Sequence, residues 1–130
     1  MERTTDDRRG MTENEARATD CKAYIQDMTT GKCYVIPYGE WTVGRKDDIP
    51  LDIPIETEDG YMSRKHAVIS LYKNIIGENS LYICDTLKRV NPTVADNYSI
   101  GNNFNYQLYD GSVFKMGETD FIVHLNPLDT

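Results

Sequence analysis

The sequence lacks the features of a membrane, secreted or metal-binding protein. No apolar run approaches 18 residues, and the N-terminus MERTTDDRRG has no apolar core of a signal peptide, so we expect an intracellular, cytoplasmic protein. Only three cysteines occur, Cys21, Cys33 and Cys84, and they form neither a C-x-x-C pair nor a cluster with histidine. This spacing argues against zinc and favours free thiols, so we expect no metal and no cofactor.

Positive charge is also scarce. The 14 Lys and Arg residues are outnumbered by 21 Asp and Glu residues, which gives a formal net charge of −7. A phosphate backbone requires many Lys and Arg side chains on one face, so we expect neither nucleic acid nor membrane as a partner. The average charge does not exclude a small local site for one phosphate group.

A sustained helical period is absent from residues 22–130, where short segments rich in Val, Ile, Tyr and Phe alternate with Gly, Asn, Asp and Pro. Many short strands at close spacing predict an all-β domain, an antiparallel sandwich or barrel. The polar segment 45–60 is predicted to be a loop, because its two prolines exclude a helix. Residues 1–21 carry no apolar period, and we interpret them as a flexible polar tail in which nothing fixes the helical turn EARA.

Basic residues are concentrated in the predicted loops. Six of the 14 lie in three adjacent pairs: Arg45 and Lys46, Arg64 and Lys65, Lys88 and Arg89. Because loops gather at the ends of a sandwich, the pairs are candidates for one small positive site. Such a site suits a single dianionic group, since phosphate accepts hydrogen bonds from guanidinium, hydroxyl and N–H donors. Solvated surface charges are the alternative interpretation.

Four motifs follow one another in a specific order: VGR at 43–45, SRKH at 63–66, NPT at 91–93 and LYDGSVFKMGETDFIVHL at 108–125. This ordered set, over about residues 22–126, resembles the forkhead-associated (FHA) domain family. That family's pattern runs G-R, S-x-x-H, N-[GP]-T and then a strand pair with a D-G turn. The resemblance implies a β-sandwich of about eleven strands over residues 22–130, which binds phosphothreonine peptides through loops at one end and is not an enzyme.

The resemblance also implies roles for individual residues. Arg45 corresponds to the arginine that pairs with the phosphate, and Ser63 to the serine that holds it through its hydroxyl and backbone N–H. Arg64 corresponds to a position that adds a polar contact. Asn91 corresponds to the asparagine whose side chain binds the peptide backbone beside the phosphothreonine.

Two further residues are implied to support the site from beneath, Gly44 and His66. Ser63 and His66 also raise the alternative of a hydrolase. Positions three apart at the start of a strand point to opposite faces, and the sequence has no G-x-S-x-G motif and no acid suited to a triad. A structural histidine that is hydrogen-bonded to the backbone is the better interpretation.

The loop before NPT departs from the family pattern. Val90 stands where the family has a hydroxyl residue, so we hypothesise that Lys88 or Arg89 supplies the missing donor by charge. The segment ADN at 95–97 replaces the family's N-G turn. Asp and Asn tolerate left-handed backbone, so the turn is expected to persist.

The resemblance therefore predicts a phosphothreonine-dependent adaptor in Ser/Thr kinase signalling, whose partners are phosphorylated proteins. Thr4 and Thr5 in the predicted tail are candidate self-ligands if they are phosphorylated. The alternative is a phosphate-independent protein–protein interaction domain that uses a sheet face or the nine tyrosines, most of which we expect to be half-buried.

Overall fold

The computed structural model describes residues 10–87, 91–102 and 105–127. Within these ranges it contains one helix, α1 (Glu13–Ala18), and eleven strands. The strands are β1 (Ala23–Asp27), β2 (Cys33–Val35), β3 (Gly39–Arg45), β4 (Ile53–Ile55), β5 (Ala67–Lys73), β6 (Asn79–Asp85), β7 (Val94–Ala95), β8 (Tyr98–Ser99), β9 (Tyr106–Leu108), β10 (Val113–Met116) and β11 (Thr119–Leu125).

The strands form two sheets that pack face to face. One has the order β2-β1-β11-β10-β7-β8 and the other the order β4-β3-β5-β6-β9. The paired strands are antiparallel except for β3 and β4, which run parallel. The predicted all-β sandwich of about eleven strands is confirmed. The turn at ADN is also confirmed, because Asp96 and Asn97 adopt φ values of 50° and 72° between β7 and β8.

The sequence pattern did not predict two of the strands, β4 and β9. The segment 45–60, predicted to be loop, contains β4, and β9 follows a polar stretch. Ile53 and Ile55 are fully buried, while Pro54 lies between them on an edge strand. Proline is tolerated at a sheet edge because the missing N–H faces away from the ladder. The prolines therefore excluded a helix but not a strand.

The core lies between the sheets and follows a two-residue period. Along β6 the buried positions include Leu81 and Ile83, and between them Tyr82 is half-buried. The stacked rings of Phe114 and Phe121, with centroids 5.3 Å apart, join β10 to β11 inside the core. Burying each such side chain stabilises the fold by about 1.5–3 kcal/mol, so the sandwich is a rigid support for its loops.

The N-terminal segment departs from the predicted tail at residues 1–21. Helix α1 begins with a capping box, in which the Thr12 hydroxyl accepts the Glu15 N–H and the Glu15 carboxylate accepts the Thr12 N–H. Ala16 is fully buried in a cluster with Tyr24 and Cys33. Residues 10–21 therefore belong to the packed fold, since one apolar contact face and a cap are enough to hold a short helix on a sheet. Residues 1–9, which include Thr4 and Thr5, lie outside the described residues.

The three cysteines are free, as expected. Burial raises the pKa of the Cys33 thiol to about 11, so this thiol is protonated at neutral pH and unreactive. In the part of the chain that the structure describes, no helix is long and apolar enough to span a membrane.

The tyrosines are more exposed than expected. The expectation that most are half-buried was wrong, because several lie at strand ends, in turns or on edge strands. Five of the nine are exposed: Tyr38, Tyr61, Tyr72, Tyr98 and Tyr109.

Candidate functional site

The loops that carry two of the basic pairs leave the same end of the five-stranded sheet. Strand β3 ends at Arg45, β5 begins at Ala67 and β6 ends at Asp85. In the sheet register Ala67 lies opposite Val43 on one side and opposite Asp85 on the other. The β3–β4 loop, the β4–β5 loop and the β6–β7 loop therefore meet at one end, which is called the site end below. The third basic pair lies in the part of the β6–β7 loop outside the described residues.

Gly44 allows the loop before β5 to lie directly on β3. A Cβ atom at this position would stand 2.3 Å from the Arg64 carbonyl oxygen and 2.5 Å from the Ser63 carbonyl oxygen. Both atoms are backbone, so a side chain at residue 44 would displace the loop. Glycine is therefore required for close approach, and the expected supporting role of Gly44 has this physical basis.

Hydrogen bonds fasten this loop, residues 62–66, to β3. The Arg45 N–H donates to the Ser63 carbonyl at 2.9 Å, and the His66 N–H donates to the Val43 carbonyl at 3.0 Å. The Arg45 side chain bonds back to the loop, since its Nε donates to the Met62 carbonyl at 3.0 Å. The guanidinium of Arg45 is thus held beside Ser63.

His66 is fully buried beneath the loop. Its Nδ1 accepts the backbone N–H of Ser63 at 3.1 Å, which agrees with the expectation of a structural histidine bonded to backbone. The reason given for that expectation was wrong, because residues 63–66 form a turn before β5 and do not alternate along a strand. Because His66 accepts the Ser63 N–H in this structure, the implied contact of this N–H with a ligand stays a prediction.

A buried carboxylate joins the loop at residues 62–66 to the β6–β7 loop. His66 Nε2 lies 4.0 Å from Asp85 Oδ1, and both side chains are buried. The Asp85 carboxylate accepts the Thr93 N–H at 3.1 Å and the Thr93 hydroxyl at 2.5 Å. The Thr86 hydroxyl donates to the Lys65 carbonyl at 2.5 Å. Both ends of the β6–β7 loop are thus anchored at the site end.

Asn91 lies two residues before the anchored Thr93 and is exposed. The anchor therefore fixes the chain two residues after Asn91, while Asn91 stays exposed and is not among the residues that line the cleft described next. Lys88, Arg89 and Val90 lie outside the described residues, so the hypothesis about a replacement donor stays a prediction.

A cleft of about 490 Å³ opens at the site end. Its polar lining includes Arg45, Ser63, Arg64 and Lys65, so the structure brings together three of the four residues predicted to contact a ligand. Its apolar lining includes Ile49 and Leu87, which sequence reasoning missed because isolated aliphatic residues in loops carry no motif.

Arg64 is paired at the rim of this cleft. Its Nη1 lies 3.4 Å from Asp47 Oδ2, and both side chains are partly exposed. Exposed pairs of this kind contribute about 0–1 kcal/mol, so an incoming dianion can compete for the guanidinium. Two guanidinium groups, an ammonium and a hydroxyl at one cleft form a donor set suited to a phosphate group.

The Asp59 carboxylate fastens the β4–β5 loop, which leads to the site, to the six-stranded sheet. Its carboxylate accepts the Glu118 N–H at 2.7 Å, the Thr119 hydroxyl at 2.6 Å and the Tyr61 N–H at 2.9 Å. Burial by itself raises the pKa of Asp59, but the hydrogen bonds from Thr119 and the backbone outweigh it and lower the pKa. The β4–β5 loop is thereby tied to the turn between β10 and β11.

Comparison with known proteins agrees with this architecture. The family model for the FHA domain matches residues 41–117. A solved FHA domain from a study of phosphothreonine-dependent FHA domain interactions is 24% identical with a TM-score of 0.63, over 82% of this chain and 98% of that chain. The MEK1 FHA domain, solved with a HOP1 phosphothreonine peptide, is 17% identical with a TM-score of 0.65, over 82% of this chain and 98% of that chain.

A third similar structure is the FHA domain of the CT664 protein from Chlamydia trachomatis. It is 22% identical with a TM-score of 0.62, over 78% of this chain and 95% of that chain. No curated protein matches the sequence. Because the family model covers more than half of the chain and the solved FHA domains share its sandwich, the chain belongs to the FHA domain family.

Proposed function

We propose that this FHA domain is a non-catalytic adaptor that binds proteins carrying phosphothreonine, the products of Ser/Thr kinases. The observation that carries the proposal is the cleft at the site end, where Arg45, Ser63 and Arg64 come together on a protein of net charge −7. Positive groups collected at one point of an acidic body suit a single phosphate better than a polyanion. A domain that binds proteins phosphorylated by kinases must act where those kinases are active, so we expect it in the cytoplasm.

The proposed phosphate contacts follow from how each side chain is held. The Nε of Arg45 is fixed on the Met62 carbonyl, which orients the guanidinium so that its two Nη groups can take two phosphate oxygens. Such preorganisation reduces the entropy lost on binding. The Ser63 hydroxyl and Arg64 add donors from the facing loop.

The peptide backbone and the missing hydroxyl donor involve the β6–β7 loop. We assign the Asn91 amide to the ligand backbone beside the phosphothreonine, a contact that is independent of ligand sequence. Lys88 and Arg89 are the proposed auxiliary donors in place of the hydroxyl that Val90 lacks.

Titration of labelled phosphothreonine peptides and their unphosphorylated forms tests the proposal. We expect binding only to the phosphorylated forms, weakened at least about 30-fold by Arg45→Ala, because removing one partner of a close charge pair costs 2 kcal/mol or more. Lys73→Ala is the matched control, since it removes a cation from the end of β5 farthest from Ser63. Binding that ignores phosphorylation favours the phosphate-independent interaction domain, and binding that survives Arg45→Ala refutes the assigned site.

The chain's own N-terminus is a second proposed ligand. The Gly10 N–H donates to the Glu56 carboxylate at 3.4 Å, and Glu56 follows Ile55, the sheet partner of Arg45. Residue 10 is therefore held at the site end, and Thr5 lies five residues earlier, within at most about 18 Å of chain. The same peptide titration tests this second ligand. Phosphorylation of Thr4 or Thr5 should weaken the binding of external peptides, because a tethered ligand has an effective concentration near millimolar.

A further inference from the structure

The two sheets differ in what lies on their outer faces. The one helix of the described ranges, α1, packs on the six-stranded sheet, where Ala16 clusters with Tyr24 and Cys33. On the five-stranded sheet, the residues of β5 and β6 that alternate with the core positions point away from the core. These six residues, called the outer face below, are Val68, Ser70, Tyr72, Ser80, Tyr82 and Cys84.

None of the six residues of the outer face is charged, and all of them lie in the described ranges, whereas 27% of the chain is Asp, Glu, Lys or Arg. Next to them in the sheet, β9 contributes the uncharged Gln107 opposite Tyr82, and β3 contributes Glu40 opposite Ser70. Charged residues are depleted and tyrosine is enriched at the centres of protein–protein interfaces. The outer face therefore has the composition of such a centre.

The two tyrosines of the outer face are held in place within the chain itself. Their rings lie with centroids 6.3 Å apart at an interplanar angle of 50°. The Tyr72 hydroxyl donates to the Glu40 carboxylate, so the Tyr72 side chain reaches from β5 across to β3. Ser70, which points outward between these strands, is only 2% exposed. Tyrosines that are fixed in advance lose little conformational entropy when a partner binds.

The chemistry of the outer face matches a second copy of itself. Serine and tyrosine hydroxyls and the Gln107 amide each donate and accept hydrogen bonds, so an identical face supplies the groups that this face needs. A twofold-symmetric contact requires such self-complementarity, since both subunits use the same patch. Two copies of net charge −7 repel each other on average, so they meet with least repulsion where charges are absent.

The size of this face indicates a weak contact. Strands β3, β5, β6 and β9 lie side by side, and the first three are seven residues long. At about 4.8 Å per strand and about 3.3 Å per residue, they present a surface of roughly 19 Å by 23 Å. Two copies together would bury about 900 Å², which lies in the range of transient interfaces.

We propose that two copies of this chain associate transiently through their outer faces, with Tyr72 and Tyr82 at the centre of a twofold-symmetric contact. The contact requires no phosphate and goes beyond the proposed function, since the cleft lies at the ends of the strands and the outer face lies along their length. Both site ends therefore stay accessible in the dimer.

Sedimentation velocity of the phosphatase-treated full chain tests the proposal, because phosphatase removes any binding of a phosphorylated N-terminus. From about 10 μM to about 1 mM we expect the average mass to rise from one chain toward two, with a dissociation constant of about 0.1 mM. Tyr82→Lys and Tyr82→Glu each bring like charges together at the centre of the contact, so each variant alone should associate at least about tenfold more weakly. An equimolar mixture of the two should associate more tightly than either variant alone, because opposite charges then meet.

Tyr98→Lys is the matched control. Tyr98 is a 68% exposed tyrosine on β8, the edge strand of the other sheet, so a lysine there should leave the association unchanged. A wild-type chain that stays monomeric up to about 1 mM overturns the proposal. An association that Tyr82→Lys leaves intact or that Tyr98→Lys weakens equally, or a mixture that associates no better than its components, overturns it as well. None of these outcomes bears on the proposed function, whose test is peptide binding.

Discussion

Strand β5 connects two segments of opposite character, the last five residues of the β4–β5 loop and the five-residue β5–β6 loop. The loop before it, residues 62–66, bonds to β3 and to the residue after β6, through the carbonyls of Met62 and Ser63 and the backbone of His66. The loop after it, residues 74–78, bonds within itself: the Asn74 side chain accepts the N–H groups of Ile76 and Glu78. The first loop carries the candidate site, and the second presents two exposed isoleucines at the opposite end.

The difference shows where each loop's geometry is encoded. The loop at residues 74–78, the remote loop, takes its shape from the turn residue Asn74 and from Gly77. Its shape is therefore encoded within its own five positions. The site loop takes its shape from partners about 20 positions away in each direction, at residues 43–45 and at Thr86. Changes in these distant partners should therefore alter the site, whereas changes in the remote loop should not.

A pair of glycine substitutions should separate the two loops most strongly. Gly44→Ala places a methyl group 2.3 Å from the Arg64 carbonyl oxygen, so we expect a loss of about 4 kcal/mol of stability and no measurable phosphopeptide binding. Gly77→Ala, at φ +85° with no atom within 4 Å of the added Cβ, should cost about 1 kcal/mol and leave binding intact. Urea unfolding and peptide titration measure both quantities. Equal costs at the two positions would contradict the proposed origin of the site loop's shape.

Replacing a side chain that anchors each loop should give a smaller difference in stability and binding than the glycine pair gives. Asp85→Ala leaves the buried N–H and hydroxyl of Thr93 without their acceptor, so we expect a loss of about 3 kcal/mol and about tenfold weaker peptide binding. Asn74→Ala removes acceptors from exposed N–H groups that water can satisfy, and should cost about 1 kcal/mol with unchanged binding. Comparison of urea midpoints and dissociation constants checks the pair. A binding defect in the Asn74 variant would show that the remote loop does influence the site.

The local features of the molecule were predictable from sequence. Short segments rich in Val, Ile, Tyr and Phe between turn residues predicted most of the strands, and Asp96 and Asn97 predicted a turn with left-handed backbone. The ordered motifs around Arg45, Ser63 and Thr93 predicted which loops would meet. Each of these signals is carried by residues next to one another or by a resemblance that spans the whole domain.

The features that sequence reasoning missed depend on contacts between distant residues. Strand β4 was hidden because its two buried isoleucines flank a proline, and only the pairing with β3 identifies it as a strand. Ile49 and Leu87 belong to no motif and line the cleft only because two loops converge. The hydrogen bond from the Ser63 N–H to His66 likewise depends on a turn that β3 holds in place.

The smallest expected difference between the loops is their response to acid. Asp59 anchors the β4–β5 loop just before residues 62–66, and its pKa is lowered in the folded protein. The Asn74 amide, which anchors the remote loop, does not titrate. A lowered carboxyl pKa stabilises the fold above the ordinary pKa of about 3.9, and this stabilisation is lost as the pH falls through the lower folded value.

The variant Asp59→Asn isolates this contribution, because all other carboxyl groups titrate in both proteins. We expect wild type to exceed the variant in stability by about half a kcal/mol more at pH 6 than at pH 3, a small value because the carboxylate is partly solvent-screened. Urea unfolding of both proteins at the two pH values gives the difference directly. A stability gap that stays constant with pH would mean that the Asp59 hydrogen bonds hold the loop equally well without the charge.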